Sequence, residues 1–204
     1  MVPVTAAPVS DRGTWYRVEN GSTGSAVRRA AERLGNELAL PEGRIADLAI
    51  VAAELTSNLI KHADDGMLLL RPVRRELDAG VELIALDSGP GMADLAQSAR
   101  DGHSTTGTLG IGLGAIVRQA SWFDAYSWPG RGTVIAVRVF GGADTDLPWA
   151  GGLTRPLAGE TVCGDGYAWR VVGDRRQVLV TDGLGHGPLA GAATDAALAA
   201  FRGD

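Results

Sequence analysis

The run PEGRIADLAIVAAELTSNLIKHA, from Pro41 to Ala63, constrains the fold more than any other stretch of the chain. Its apolar residues recur at 45, 48, 52, 55 and 59. This three-and-four spacing lays a single stripe along a helix and demands a second layer to cover it. Pro41 suits the first turn, where a helix has no use for the missing N–H. Beside the apolar stripe stand Glu54, Asn58 and His62, four residues apart and therefore on one helical face. Such a line is either the solvated border of a boundary helix or one wall of a site, and the helix alone leaves both readings open.

The flanking sequence supplies the second layer. Residues 1–13 read as a tail, TWYRVEN (14–20) alternates as a short strand would, and a helix is expected over about 24–39. MLLLRPV and VELIALD, bounded by Gly66 and by Ala79 and Gly80, are short apolar runs that suit strands buried in a sheet. Residues 88–114, rich in Gly, Ser and Thr, read as a long loop, of a kind that is usually functional or disordered. A helix over about 111–121 and the strands WFDAYSW and TVIAVRVF complete an α+β, two-layer arrangement of helices on one sheet. GGADTDLPWAGG (141–152) reads as a linker. The remainder, 153–204, holds AWRVVG, QVLVTDG and an alanine-rich helix after GHGP. With so few large apolar groups it is expected to be the beginning of a second domain.

Charge and cysteine usage narrow the function. A formal net charge of -5 and a pI near 5.2 argue against a protein that coats nucleic-acid phosphates, which would show a basic stripe. Cys163 is the single cysteine, so no intrachain disulfide is expected, and a zinc site lacks its ligands. The start MVPVTAAPVSDRG has no basic region leading into an apolar core, and no segment carries the ~20 apolar residues of a membrane span. The expectation is a cytoplasmic protein with neither a nucleic-acid nor a membrane partner.

Two glycine boxes follow the helix. In LDSGPG (86–91) an apolar strand ends at Asp87 and turns through Gly89 and Gly91. A carboxylate there can accept a hydrogen bond from an exocyclic amine such as adenine's, while the glycines let a flat ligand approach the main chain. GTLGIGLG (107–114) runs into the next helix, where free backbone N–H groups and the helix terminus favour polyphosphate. With 29 glycines in 204 residues, about twice the usual share of about 7 %, clusters arise without purpose, so the order of the boxes carries more weight than their glycine content.

That order is Glu54-x-x-x-Asn58 on a helix, Asp87-x-Gly89-x-Gly91 after a strand, a Ser/Thr-rich loop, then Gly-x-Gly-x-Gly (110–114) into a helix. It resembles the ATP-binding domain of the GHKL superfamily, shared by gyrase, MutL and histidine kinases, over roughly residues 14–140. AELTSNLIKHA, LDSGPGM and STTGTLGIGLGAIVRQAS look most like the bacterial anti-sigma serine kinases and stress-switch kinases. The resemblance implies the family's two-layer α/β sandwich, a mixed sheet covered on one face by helices. It also implies ATP and magnesium as cofactors, and phosphorylation of a serine or threonine on a small antagonist (anti-anti-sigma) protein. A sigma factor or stress-switch protein is a further partner, and a homodimer is compatible. By the same carry-over the Asn58 amide oxygen is a magnesium ligand and Glu54 orients or deprotonates the attacking hydroxyl. Asp87 reads adenine, Gly89 and Gly91 shape the base pocket, and Gly107, Gly110, Gly112 and Gly114 hold phosphates. Residues 92–109 would form an ATP lid. His62 lies at the pocket edge, and Lys61, Arg100 and Arg131 are unranked candidates to neutralise the transferring phosphate. The non-enzymatic alternative is a nucleotide-dependent module that binds its partner and transfers nothing.

ETVCGDGYAWR (160–170) and VLVTDGLGHGPLAG (178–191) resemble the start of the SpoIIE-type metal-dependent serine phosphatases. There the matching positions, Asp165, Asp182 and the carbonyl of Gly183, bind paired manganese or magnesium ions. Two hairpin turns are the plainer reading, since Asp-Gly is also a common turn pair. The family needs further acidic ligands, so the segment is expected to be a fragment of a longer kinase-phosphatase fusion or a decayed phosphatase half, with little hydrolytic activity.

Overall fold

The computed structural model describes residues 13–75, 78–92, 112–142, 151–157 and 159–203. The chain divides into two compact units, one spanning 12–147 and one that includes 148–204.

The first unit runs β1 (Thr14–Arg17), α1 (Gly21–Glu37), α2 (Glu42–His62), β2 (Met67–Arg75), β3 (Asp78–Asp87), α3 (Gly112–Gln119), β4 (Trp122–Trp128) and β5 (Gly132–Phe140). Helix α1 begins earlier than the expected 24, because the Asn20 side chain accepts hydrogen bonds from the N–H groups of Ser22 and Thr23, two first-turn donors otherwise left to water. Helix α2 carries its apolar stripe inward as spaced: Leu48, Ala52, Leu55 and Leu59 are buried, and Ile45 packs partly buried against them.

The sheet has the order β1-β2-β3-β5-β4. Every pairing among the described residues is antiparallel, which corrects the expected mixed sheet. The reason is connectivity. Two successive helices return the chain to the end of the sheet it left, so β2 opposes β1, while β2–β3 and β4–β5 are adjacent antiparallel pairs. Strands β3 and β4 run in the same direction, each antiparallel to β5, which lies between them. Gly80, expected to bound a strand, lies inside β3 opposite Phe140.

Alternate residues of the sheet face the helices: Leu68 and Leu70 from β2, Val81, Leu83 and Ala85 from β3, and Ile135, Val137 and Val139 from β5 join Val27, Ala31, Leu48, Val51, Leu55 and Leu59 in one core. Each such aliphatic side chain contributes about 1.5–3 kcal/mol when fully buried. On the opposite face a polar row crosses four strands. Arg71 and Arg138 are both register partners of Glu82, and Trp122 is the partner of Arg138. Glu82, 1 % exposed, accepts from Arg71 Nε at 2.6 Å and from Arg138 Nε at 2.6 Å. The Arg138 guanidinium lies 4.6 Å from the centre of the Trp122 ring.

The second unit is a hairpin, β6 (Gly166–Val172) and β7 (Arg175–Thr181), with helix α4 (Pro188–Arg202). Thr194 of α4 donates to the Gly164 carbonyl and accepts from Thr181 Oγ1 at 3.2 Å, which fixes the helix on one face of the hairpin. Pro188 opens α4 and Gly203, left-handed at φ 84, closes it.

Candidate nucleotide site

Asp87 continues the alternation of Val81, Leu83 and Ala85, so its carboxylate emerges on the helix side of the sheet at the end of β3. The turn that follows is held from two directions. Toward α2, the Ser88 N–H donates to Asp64 O at 2.9 Å, and Gly89 backs onto the His62 carbonyl. Toward the β4–β5 hairpin, the Gly130 N–H donates to Pro90 O at 2.8 Å and the Met92 N–H to Ser127 Oγ at 2.6 Å. Gly91 sits at φ +67, and a Cβ there would collide with the Trp128 carbonyl. Gly132, at φ +95, lies against the Asp87 carbonyl just as closely. Both conformations and both approaches require glycine.

Burial pushes the Asp87 carboxyl above its ordinary value of 3.8. The N–H groups of Gly89 and Thr133 act in the opposite sense, the Asp64 charge raises it further, and His62 lowers it. The Gly89 N–H reaches Oδ1 at 2.7 Å. A carboxylate has about four lone-pair sites, so two backbone bonds leave capacity for an exocyclic amine, and the residues fit adenine.

Helix α2 brings the polar stripe to the same place. Glu54 and Asn58 are half-buried and His62 is exposed. His62 abuts the Asp87 turn through its carbonyl, with Asn58 one helical turn back, about 6 Å, and Glu54 two turns back. Among the described residues no group of three or more His, Cys, Asp or Glu is gathered to hold a metal. A magnesium at the neutral Asn58 oxygen would take its remaining ligands from phosphates and water.

Gly112 opens α3, with no described residue within 4 Å of where its Cβ would stand, and Gly114 is buried in the first turn, where N–H groups have no helical partner. Gly107, Gly110 and Arg100 lie outside the described residues, as does the expected lid apart from Met92. Lys61 is exposed on α2, and Arg131 is exposed at the tip of the β4–β5 hairpin.

A cavity of about 530 Å³ meets Asp87 and is lined among the described residues by Tyr126, Trp128, Arg131, Gly132, Thr133 and Val134. Tyr126, Trp128 and Val134 alternate out of phase with the core residues Phe123, Ala125 and Ile135, so the cavity opens on the sheet face away from the helices and reaches Asp87 only at the strand end. Sequence reasoning missed Asp64, Gly132 and Thr133 as neighbours of Asp87, because all three reach it through the tertiary fold. The aromatic wall was visible in WFDAYSW, whose Tyr126 and Trp128 share one parity.

In the second unit, Gly166 and Thr181 are the last register pair, so Asp165 and Asp182 flank the open end of the hairpin, both exposed. The Gly164 carbonyl lies directly against Gly183. The two motifs are thus adjacent in space.

Comparison with known proteins places the first unit. RsbT, a serine/threonine-protein kinase of Bacillus subtilis (strain 168), is 32 % identical over 110 residues, which cover 54 % of this chain and 83 % of that kinase. Among solved structures, the mycobacterial sensor histidine kinase MprB superposes with a TM-score of 0.42 at 15 % identity, covering 57 % of this chain and 93 % of that one. The catalytic domain of histidine kinase ThkA superposes with a TM-score of 0.38 at 13 % identity, covering 64 % and 98 %. Among the described residues no helix is long and apolar enough to cross a membrane. Residues 19–139, which hold α2 and the Asp87 turn, match the histidine kinase-like ATPase domain, and the chain belongs to that family.

Proposed function

We propose that this chain is an ATP-dependent protein serine/threonine kinase of the anti-sigma type, acting on a small antagonist protein. The observation that carries the reading is the match to RsbT across 83 % of that kinase; the approach of His62, at the end of the α2 stripe, to the Asp87 turn supports it. Bound ATP with magnesium supplies the transferable phosphoryl group. Asp87 accepts the adenine amine and rejects a base that offers an oxygen there. Asn58 presents a neutral oxygen to the cation, and Gly112 and Gly114 leave backbone N–H groups for the phosphates. Glu54 takes the proton of the attacking hydroxyl. Phosphoryl transfer is mainly positioning and charge stabilisation, so this small set is sufficient.

Labelled ATP, magnesium and a co-encoded antagonist protein test the reading: label is expected on a serine or threonine. Glu54→Gln keeps the size of the side chain but accepts no proton, so the transfer rate is expected to fall ~10² to 10⁴-fold with ATP affinity and melting temperature unchanged. An unchanged rate in that variant would return the stripe to a solvated helix border. Intact ATP on a chain that holds its partner would instead describe a binding module.

A second reading concerns the second unit and rests on the adjacency of Asp165 and Asp182. On this reading Asp165 and Asp182 would hold metal as in a metal-dependent phosphatase, with the Gly183 carbonyl as a third oxygen ligand. Manganese titration by calorimetry should show weak binding that Asp182→Asn removes, and equal binding by the variant would leave only two hairpin turns.

A further inference from the structure

The cavity at the β4–β5 hairpin touches the chemistry above at Asp87, Gly132 and Thr133, but its aromatic wall has no role there. Its rings are open to water: Tyr126 is 63 % and Trp128 57 % exposed, with Val134 at 44 %. Clustered exposed apolar area of this kind marks a contact surface rather than ordinary exterior. Tyr, Trp and Arg are also the residue types that dominate binding energy at protein interfaces. The Arg131 guanidinium, the Trp128 indole N–H and the Tyr126 hydroxyl have no side-chain partner among the described residues, and all three can donate hydrogen bonds. Thr133 is occupied, its Oγ1 being 2.9 Å from Ser127 Oγ. Apart from Asp87 at the end of β3, the unsatisfied chemistry of the cavity is donor and cationic, set in an apolar wall.

Position adds a second constraint. Strand β4 ends the sheet order, so its outer edge has no strand neighbour among the described residues. Asp124 Oδ1 accepts from the Ala125 N–H at 2.9 Å, so that N–H points away from β5 toward the edge. A segment lying along β4 could replace that contact with main-chain bonds while its side chains reach the cavity.

We infer that this cavity docks an extended segment of a partner protein, seating a large apolar side chain against Trp128, Tyr126 and Val134 and a neighbouring Asp or Glu carboxylate on Arg131. The volume of about 530 Å³ accommodates such a side chain with its neighbours. A nucleic-acid strand fits less well, because one arginine cannot follow a phosphodiester backbone that calls for several cations. The inference does not rest on the kinase reading, since its contacts are with Tyr126, Trp128, Arg131 and Val134, although the cavity also touches Asp87.

The test is selection of a phage-displayed random peptide library on the full chain, followed by titration of the enriched peptides. Enrichment of a large apolar residue beside Asp or Glu is expected. Trp128→Ala should weaken those peptides about tenfold or more. Arg131→Glu should do the same, and rising salt should weaken binding to the unaltered chain. Val134→Lys, at an exposed position, is expected to repeat the loss, and unchanged melting temperatures separate that loss from misfolding. No enrichment, peptides without acidic residues, or equal binding to the variants would overturn the inference. So would displacement of the peptides by a single-stranded oligonucleotide, or a dimer of this chain that Trp128→Ala dissolves.

Discussion

The two units of the chain use the same local devices with different results. Each has an antiparallel hairpin and an alanine-containing helix packed on one face. In the first, five strands and two long helices enclose a continuous core in which Leu48, Val51, Leu55, Leu83 and Val137 have no exposure at all. In the second, β6, β7 and α4 bury chiefly Ala168, Trp169 and Ala190 among their described apolar residues, while Val178, Val180, Leu184 and Leu189 stand 58 to 101 % exposed. One face of this two-stranded sheet carries the helix and the other is covered only in part, around Tyr167 and Trp169, and isolated hairpins are marginal. Apolar content does not by itself make a core; the number of strands that share a helix layer decides it.

That contrast should be widest under truncation of the core. Leu48→Ala, at a fully buried position of α2, should cost about 2–5 kcal/mol in chemical denaturation of the first unit. A loss below 1 kcal/mol would mean that the helix layer is not closed. Gly132→Ala comes next. Its φ of +95 and its approach to the Asp87 carbonyl should cost about 1–3 kcal/mol, and ATP affinity should fall with it. If stability fell while affinity held, the hairpin would be uncoupled from the site.

Asp87→Asn should weaken ATP by on the order of 1–3 kcal/mol, with relaxed discrimination against GTP. It should move folding stability the other way. A carboxyl whose folded value is raised contributes stability below its unfolded value and loses it as pH rises through the folded value. At neutral pH the charged Asp87 is therefore a cost, and the Asn variant should melt higher than the parent, with the gap closing as pH falls below 3.8. ATP affinity of the parent should decline on acidification from above that value. Calorimetry of both proteins across pH would expose a wrong sign. The smallest effect belongs to the second unit: Leu189→Ala, at a site 88 % exposed, should shift stability by less than about 0.5 kcal/mol. A larger loss would show that Leu189 is covered.

How much of this was legible depended on whether the signal was local. Helix α2 and strands β4 and β5 could be read almost to the residue, since periodicity and the Trp128–Gly132 turn are properties of neighbours in sequence. The start of α1 was placed near 24 rather than at Gly21, because periodicity does not show the Asn20 side chain that caps Ser22 and Thr23. Sheet direction was not legible, because it depends on β5 entering between β3 and β4. The Arg71–Glu82 pair went unread, since it is set by the β2–β3 register, and the second arginine on Glu82 comes from β5. At the site the glycines and Asp87 stood out, whereas the Thr133 N–H and Asp64 that tune the carboxyl did not.

The position of β5 also sets an order of events during synthesis. It is the last of the five strands to leave the ribosome, yet it occupies a place inside the sheet, beside β3. Until it is added, Asp87 lacks the Thr133 N–H and its turn lacks the Gly130 anchor. Such long-range pairing is slow relative to helix formation. A nascent chain that has emerged only as far as β4 therefore carries both glycine boxes and the whole α2 stripe but has no finished nucleotide site. Retention on immobilised ATP would then report completed chains and discard those that stopped short of Phe140.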